Sequence, residues 1–144
     1  MTANTGHTAI APSLKLLGMS LAGTLLLGCA GGRPTHISQH ELLKAIEEGR
    51  APAIVDVRSL REYRAGHVPG ALHIPFYALP PRYEEAGLKK SEPVVVYCQH
   101  GPRAGFAKLS LKSRSYEQVL YLEGHMSAWQ QSGLPVEQGP PPHR

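Results

Sequence analysis

The stretch Pro93-Val94-Val95-Val96-Tyr97-Cys98-Gln99-His100-Gly101-Pro102-Arg103-Ala104 narrows the choice of folds more than any other. Val94 to Tyr97 is apolar and rich in β-branched residues. It shows no polar alternation and is too short for a helix, so it reads as a strand buried on both faces. Gln99 to Arg103 contains a glycine and a proline and reads as a tight loop. From Ala104 onward, Phe106, Leu109 and Leu111 beside Lys108 and Lys112 suit a helix packed on a sheet. Cys98 therefore stands at a strand end, looped onto a helix N-terminus. Backbone N–H groups and the helix dipole can stabilise an anion on its sulfur. A buried structural cysteine is the competing reading; the polar His100 and Arg103 in the same loop favour a reactive one.

Three further apolar runs read as strands: Ala53 to Val57, Ala71 to Ile74 and Val119 to Leu122. Helical signals separate them. Ser38 with Glu41 forms a capping box, Ile37 and Leu42 have staple spacing, and Leu42, Leu43 and Ile46 make an apolar face that ends at Gly49. Ser59 caps a short helix carrying Glu62 and Tyr63. Gly66 to Gly70 is a turn, and residues 78 to 90, with Pro80, Pro81 and Gly87, form a broken helical or loop segment. Gly124 leads into a short helix through Ala128 and Trp129, closed by Gly133. Strands alternating with helices imply parallel crossovers and an α/β sheet covered on both faces. In such sheets ligands bind beyond the carboxyl ends of the strands, where Cys98 lies. His36 and His40 do not form a metal pair, because Ser38 as N-cap leaves His36 outside the helix. No metal site and no cofactor is read from the chain.

The first 28 of the 144 residues differ from the rest: they carry Lys15 as their one charged side chain. Leu16 to Leu27 is mostly apolar but shorter than a bilayer-spanning helix. A basic flank, an apolar run and the small Gly28 describe a secretory signal. Leu26-Leu27-Gly28-Cys29 resembles the lipobox of bacterial lipoproteins. That resemblance implies a signal peptide over 1–28, acylation of Cys29, and a lipidated N-terminus and linker over 29–34. A folded domain over 35–139 and a Pro-rich tail over 140–144 follow. It also implies a domain lipid-anchored at the cell envelope and facing the periplasm. Ala30 after Cys29 lacks the Asp that, by the same resemblance, retains lipoproteins in the inner membrane, which favours the outer one. With Cys29 acylated, Cys98 is the only free thiol of the mature chain and has no partner for an internal disulfide. Loss of residues 1–28 leaves 14 basic and 11 acidic side chains, a net charge of +3. That suits small anionic substrates or anionic surfaces. There is no lysine run or aromatic-interleaved patch for nucleic acid, and nothing fixes an oligomeric state.

From about Thr35 to Glu137 the chain resembles a single-domain rhodanese, a sulfurtransferase module. Val55-Asp56-Val57-Arg58 is similar to the family's strand ending in Asp-x-Arg. Glu62-Tyr63 through Gly66-His67-Val68-Pro69-Gly70-Ala71 to Ile74-Pro75 is similar to its next stretch. Cys98 to Arg103 fits its active loop, Cys-x-x-Gly-x-Arg, and Leu122 to Trp129 with Gly133 to Val136 resembles its closing motif. One departure is His125, where the family usually has a second glycine.

The resemblance implies a three-layer α/β fold with a central, mainly parallel five-stranded sheet. It implies that Cys98 takes sulfane sulfur from thiosulfate or a similar small anionic donor as a persulfide and passes it to a thiol or cyanide acceptor. Gln99, His100, Gly101, Pro102 and Arg103 would line the donor site, with Arg103 on the donor's anionic end. His100 adds charge or steers the acceptor, or is simply a solvent-facing loop residue. Asp56 and Arg58 read as braces of the strand ends and Glu62 as partner of a nearby arginine. His67 and His73 read as turn and packing residues, and Trp129 as core. Two rivals stand beside this reading. Phosphatases and arsenate reductases of the same fold have, by resemblance, a loop one residue longer than the six residues from Cys98 to Arg103. A non-catalytic binding module at the envelope often lacks the cysteine.

Overall fold

A computed structural model describes residues 32–78 and 81–141. The chain divides into two units, Met1–Ala30 and Gly31–Arg144. Residues 1–28, expected to be a signal peptide, and Cys29 lie outside the described residues, as does the end of the Pro-rich tail.

In chain order the elements are β1 (His36–Ile37), α1 (Gln39–Glu47), β2 (Ala53–Asp56), α2 (Leu60–Ala65), β3 (Leu72–His73), α3 (Pro81–Glu85), β4 (Val94–Tyr97), α4 (Pro102–Ser113), β5 (Val119–Leu122) and α5 (His125–Gln131). The strands form one five-stranded sheet in the order β1-β5-β4-β2-β3, and every ladder is parallel. The four apolar runs supply β2 to β5. The fifth strand, β1, is only two residues long at the sheet's edge, too short to show a pattern.

β4 sits at the centre, between β5 and β2, and its side chains alternate between two cores. Val94, Val96 and Cys98 enter one layer, against Ala104, Ala107 and Leu111 of α4 and Tyr83 of α3. Val95 and Tyr97 enter the other, with Leu42 of α1, Tyr63 of α2, and Met126 and Trp129 of α5. This is the three-layer α/β architecture that the resemblance implies. Burial on both faces is why these strands read as unbroken apolar runs. Trp129 is fully buried, and its indole N–H donates to the Pro135 carbonyl at 2.8 Å.

Both capping boxes are formed. Ser38 and Ser59 each accept from the backbone N–H three residues on, and Glu41 and Glu62 reach back to the N-cap amides. Two expectations need correction. α4 starts at Pro102 rather than Ala104, because proline at the first helical position has a suitable φ and lacks an N–H that would be unpaired there anyway. Its buried face is Ala104, Ala107 and Leu111, while Phe106 and Leu109 are 62% and 70% exposed. Residues at i, i+3 and i+7 share a face, whereas i+2 and i+5 fall off it. The small alanines let α4 lie close to the sheet.

Candidate active site

Where β4 ends, the chain must turn from the sheet into α4 within a few residues. Gly101 makes this possible, with φ +123°, a conformation side-chain-bearing residues rarely adopt. The turn aims the Gly101 N–H at Cys98 Sγ, 3.0 Å away. An amide dipole at that distance stabilises negative charge on the sulfur. The loop is also held from outside. Met126 N–H donates to the Cys98 carbonyl at 3.0 Å and Ser127 N–H to the Gln99 carbonyl at 3.2 Å. Cys98 is 1% exposed and is the free cysteine among the described residues.

Starting α4 at Pro102 puts Arg103 in its first turn. The Arg103 guanidinium meets Glu62 of α2 through two N–H···O bonds, of 2.7 and 2.8 Å. Those bonds occupy two of its five N–H groups. Glu62 comes first among the influences that keep Arg103 charged, and Cys98 adds to it. In return Arg103, helped by Ser59, holds the Glu62 carboxyl down at about 2 against the opposing effect of burial. Ser59 Oγ donates to Glu62 at 2.6 Å and its amide at 3.0 Å. One carboxylate thus closes a helix cap and orients the loop arginine.

Asp56 and Arg58 form a separate, buried cluster. Arg58 Nη2 donates to Asp56 at 2.7 Å and to the Gly66 carbonyl at 2.7 Å, and Nε donates to both Asp56 oxygens. The Tyr97 hydroxyl donates to Asp56 at 2.8 Å and accepts the Val68 N–H at 3.1 Å. Burial opposes charge on Arg58, but the hydrogen bonds and charge of Asp56 outweigh it, so Arg58 lies above its ordinary value. Burial first, and then Asp56, push Tyr97 well up.

The remaining predicted residues fall into place around these two groups. Gln99, assigned to the donor site, turns its side chain away: its oxygen accepts from Arg58 Nη1 at 3.1 Å and its amide nitrogen approaches Gln130 at 3.3 Å. His100 is exposed, with Nδ1 3.2 Å from Ser127 Oγ, and Pro102 is exposed at the start of α4. His67 is buried against Tyr63, ring centroids 3.7 Å apart, and His73 Nε2 lies 2.9 Å from the Arg58 carbonyl oxygen. Sequence reasoning did not find the role of Tyr97, and it found Ser59 as a cap without its bonds to the Glu62 carboxylate. Those bonds had a signal, since Ser59-x-x-Glu62 repeats the pattern recognised at Ser38 and Glu41. Among the described residues no group of three or more His, Cys, Asp or Glu side chains could hold a metal. A cavity of about 670 Å³ between α2, β3 and α3 is lined by none of the residues from Cys98 to Arg103.

A parallel α/β sheet with a cysteine loop closing onto a helix at its central strand is the class of domain that the sequence resemblance leads one to expect. Residues 38–132 match the rhodanese-like domain, and the chain belongs to that family. It is 33% identical over 100 residues to a sulfurtransferase of Allochromatium vinosum, covering 69% of this chain and 92% of that one. It is 30% identical to the thiosulfate sulfurtransferase GlpE of Actinobacillus pleuropneumoniae, covering 72% and 93%. Among solved structures it is similar to the Alr3790 protein of Anabaena sp., with TM-score 0.64 and 32% identity over 72% of this chain and 82% of that one. It spans about half the length of some other curated relatives that it matches.

Proposed function

We propose that this protein is a sulfurtransferase that moves sulfane sulfur from thiosulfate or a similar anionic donor to a thiophilic acceptor through a Cys98 persulfide. The observation that carries the reading is the Gly101 N–H on Cys98 Sγ at 3.0 Å. It is supported by Arg103, held at the loop by Glu62 with N–H groups to spare. The Cys98 thiolate attacks the outer sulfur of thiosulfate. A Cys98 S–S bond forms, the donor's S–S bond breaks, and sulfite leaves with the electron pair. The persulfide then carries the negative charge in the same loop. A cyanide or thiolate acceptor attacks its terminal sulfur, leaves as thiocyanate or a new persulfide, and restores the Cys98 thiolate. Arg103 binds the sulfonate oxygens until sulfite leaves.

Intact mass after incubation with thiosulfate tests this directly. The protein gains one sulfur atom and then loses it to cyanide with formation of thiocyanate. Cys98→Ser does neither and melts as the parent does, since an alcohol is a far poorer anion of nearly the same volume. A parent chain whose mass does not change, or a Cys98→Ser variant that still transfers sulfur, rejects the proposal.

We also propose that the domain is anchored by acyl chains on Cys29, at the periplasmic side of the outer membrane. Support comes from Leu16 to Cys29 and from Ala30. Each buried acyl CH₂ contributes about 0.8 kcal/mol, and stable anchoring takes roughly two chains. Among the described residues no helix is long and apolar enough to cross a membrane. Detergent-free fractionation pellets the parent with membranes. Cys29→Ser yields soluble protein, or an uncleaved precursor that intact mass identifies. A parent that is soluble and unacylated defeats the anchor but not the chemistry.

A further inference from the structure

The family resemblance leads one to expect a glycine at position 125, and this chain has a histidine. The backbone keeps the conformation a glycine would take: φ is +55° at His125, after +65° at Gly124. A side-chain-bearing residue holds such a conformation only where its surroundings fix it. Here they do. The imidazole packs edge-on against Tyr121, centroids 6.0 Å apart and planes at 70°. Its other edge lies across the space that a Gly101 side chain would fill: a Cβ built on Gly101 would stand 3.2 Å from Nε2 and 3.6 Å from Cδ2. The next two residues carry the amides that bond the carbonyls of Cys98 and Gln99, and Ser127 Oγ meets His100 Nδ1. Residues 126 and 127 thus bond Cys98, Gln99 and His100, and the His125 ring bounds the space beside the Gly101 Cα. Gly101, beside the ring, is the one whose N–H reaches the sulfur.

We propose that His125 is a positioning residue, its neutral imidazole the prop that keeps the Gly101 peptide turned with its N–H on Cys98 Sγ. The inference rests on the sulfurtransferase reading only for what that sulfur then does. Neutrality follows from the packing. Nδ1 is buried with no hydrogen-bond partner among the described residues, so charging the ring would bury an unsatisfied N–H. The groups facing it work in the same direction. Burial first, then His36 of β1 and His100 of the loop, hold His125 below the ordinary histidine value. Tyr121 of β5 presents only its ring, and Lys108 Nζ sits 4.0 Å from that ring's centroid.

Two variants separate ring from backbone. His125→Gly removes the ring and relaxes the backbone; His125→Asn removes the ring but keeps a residue that tolerates positive φ. The readout is thiolate ultraviolet absorbance across pH, taken as the difference from the Cys98→Ser protein so that it reports Cys98 alone. Both variants shift the Cys98 curve to higher pH, with about threefold less thiolate near neutrality, and His125→Gly melts no lower than the parent. A second measurement tests the contact itself. Gly101→Ala meets both a positive φ and the ring in the parent, but only the φ in the His125→Gly background. Its loss of melting temperature is therefore smaller in the second background, and folding there alone gives the same support. Parent-like titration by either His125 variant, or equal Gly101→Ala losses in both backgrounds, overturns the inference. A parent that takes no sulfur from thiosulfate yet shows the titration shift refutes the proposed activity and not this role for His125.

Discussion

Two arginine–carboxylate pairs stand near the carboxyl ends of the central strands, and they differ in what they leave free. In the Asp56–Arg58 pair the side chains are 0% and 2% exposed, and Arg58 spends its N–H groups on Asp56, Gly66 and Gln99. In the Glu62–Arg103 pair the side chains are 33% and 29% exposed, the two bonds to Glu62 use two of the five guanidinium N–H groups, and the arginine also interacts with Cys98. The chemistry of each pair is the same. A desolvated pair whose arginine spends four of its five N–H groups inside the fold braces that fold and has little to offer a ligand. A half-exposed pair with donors to spare holds an arginine in place while leaving it usable.

The sharpest way to break that contrast is Asp56→Ala. It leaves Arg58 buried and uncompensated and also strips the Tyr97 hydroxyl of its acceptor, so about 3–5 kcal/mol of stability is lost. Urea melts read this directly, and a loss under about 1 kcal/mol would make Asp56–Arg58 no more structural than a surface pair. Arg103→Ala comes next and divides the effects the other way. Stability changes by no more than about 1 kcal/mol, while the apparent KM for thiosulfate rises about tenfold with a smaller change in kcat. A fall in kcat at fixed KM, or an equal loss with an uncharged sulfur donor, would contradict donor anchoring. Glu62→Gln is the mildest of the three. It leaves Arg103 present but less well aimed, so KM rises only a few-fold, and the weakened cap costs about 1 kcal/mol. The same variant has a signature in acid. Glu62 lies at about 2 in the fold against an ordinary 4.5, so its contribution is whole above 4.5 and fades as pH falls towards 2. Stability of the parent therefore drops across that window by more than that of Glu62→Gln.

The same contrast marks the boundary of what could be read from the chain. β2, β4 and β5 are legible because burial on both faces demands unbroken apolar residues, and the caps at Ser38 and Ser59 because they are local. The helix after Cys98 is legible as an element but not in its orientation. Phe106 and Leu109 outrank alanine in apolarity, yet close packing on a sheet selects Ala104 and Ala107. The turning of Gln99 towards Arg58 and the joining of Glu62 to Arg103 each link residues 41 positions apart. Nothing in the local sequence signals the Gln99 link, and motif resemblance marks Glu62 and Arg103 without showing how they meet. β1 could not be found at all, since two residues gain strand character only from the β5 edge beside them.

That edge has a consequence for the order in which the molecule comes together. β1 is the first strand to leave the ribosome, yet its ladder partner is β5, the last. The carbonyls of Cys98 and Gln99 likewise wait for amides at 126 and 127. A growing chain thus completes Cys98 long before it can complete the loop around it, and sequence-distant closure of this kind is slow. The amides that fix the thiol's loop arrive only with the final helix, 28 residues after Cys98 itself.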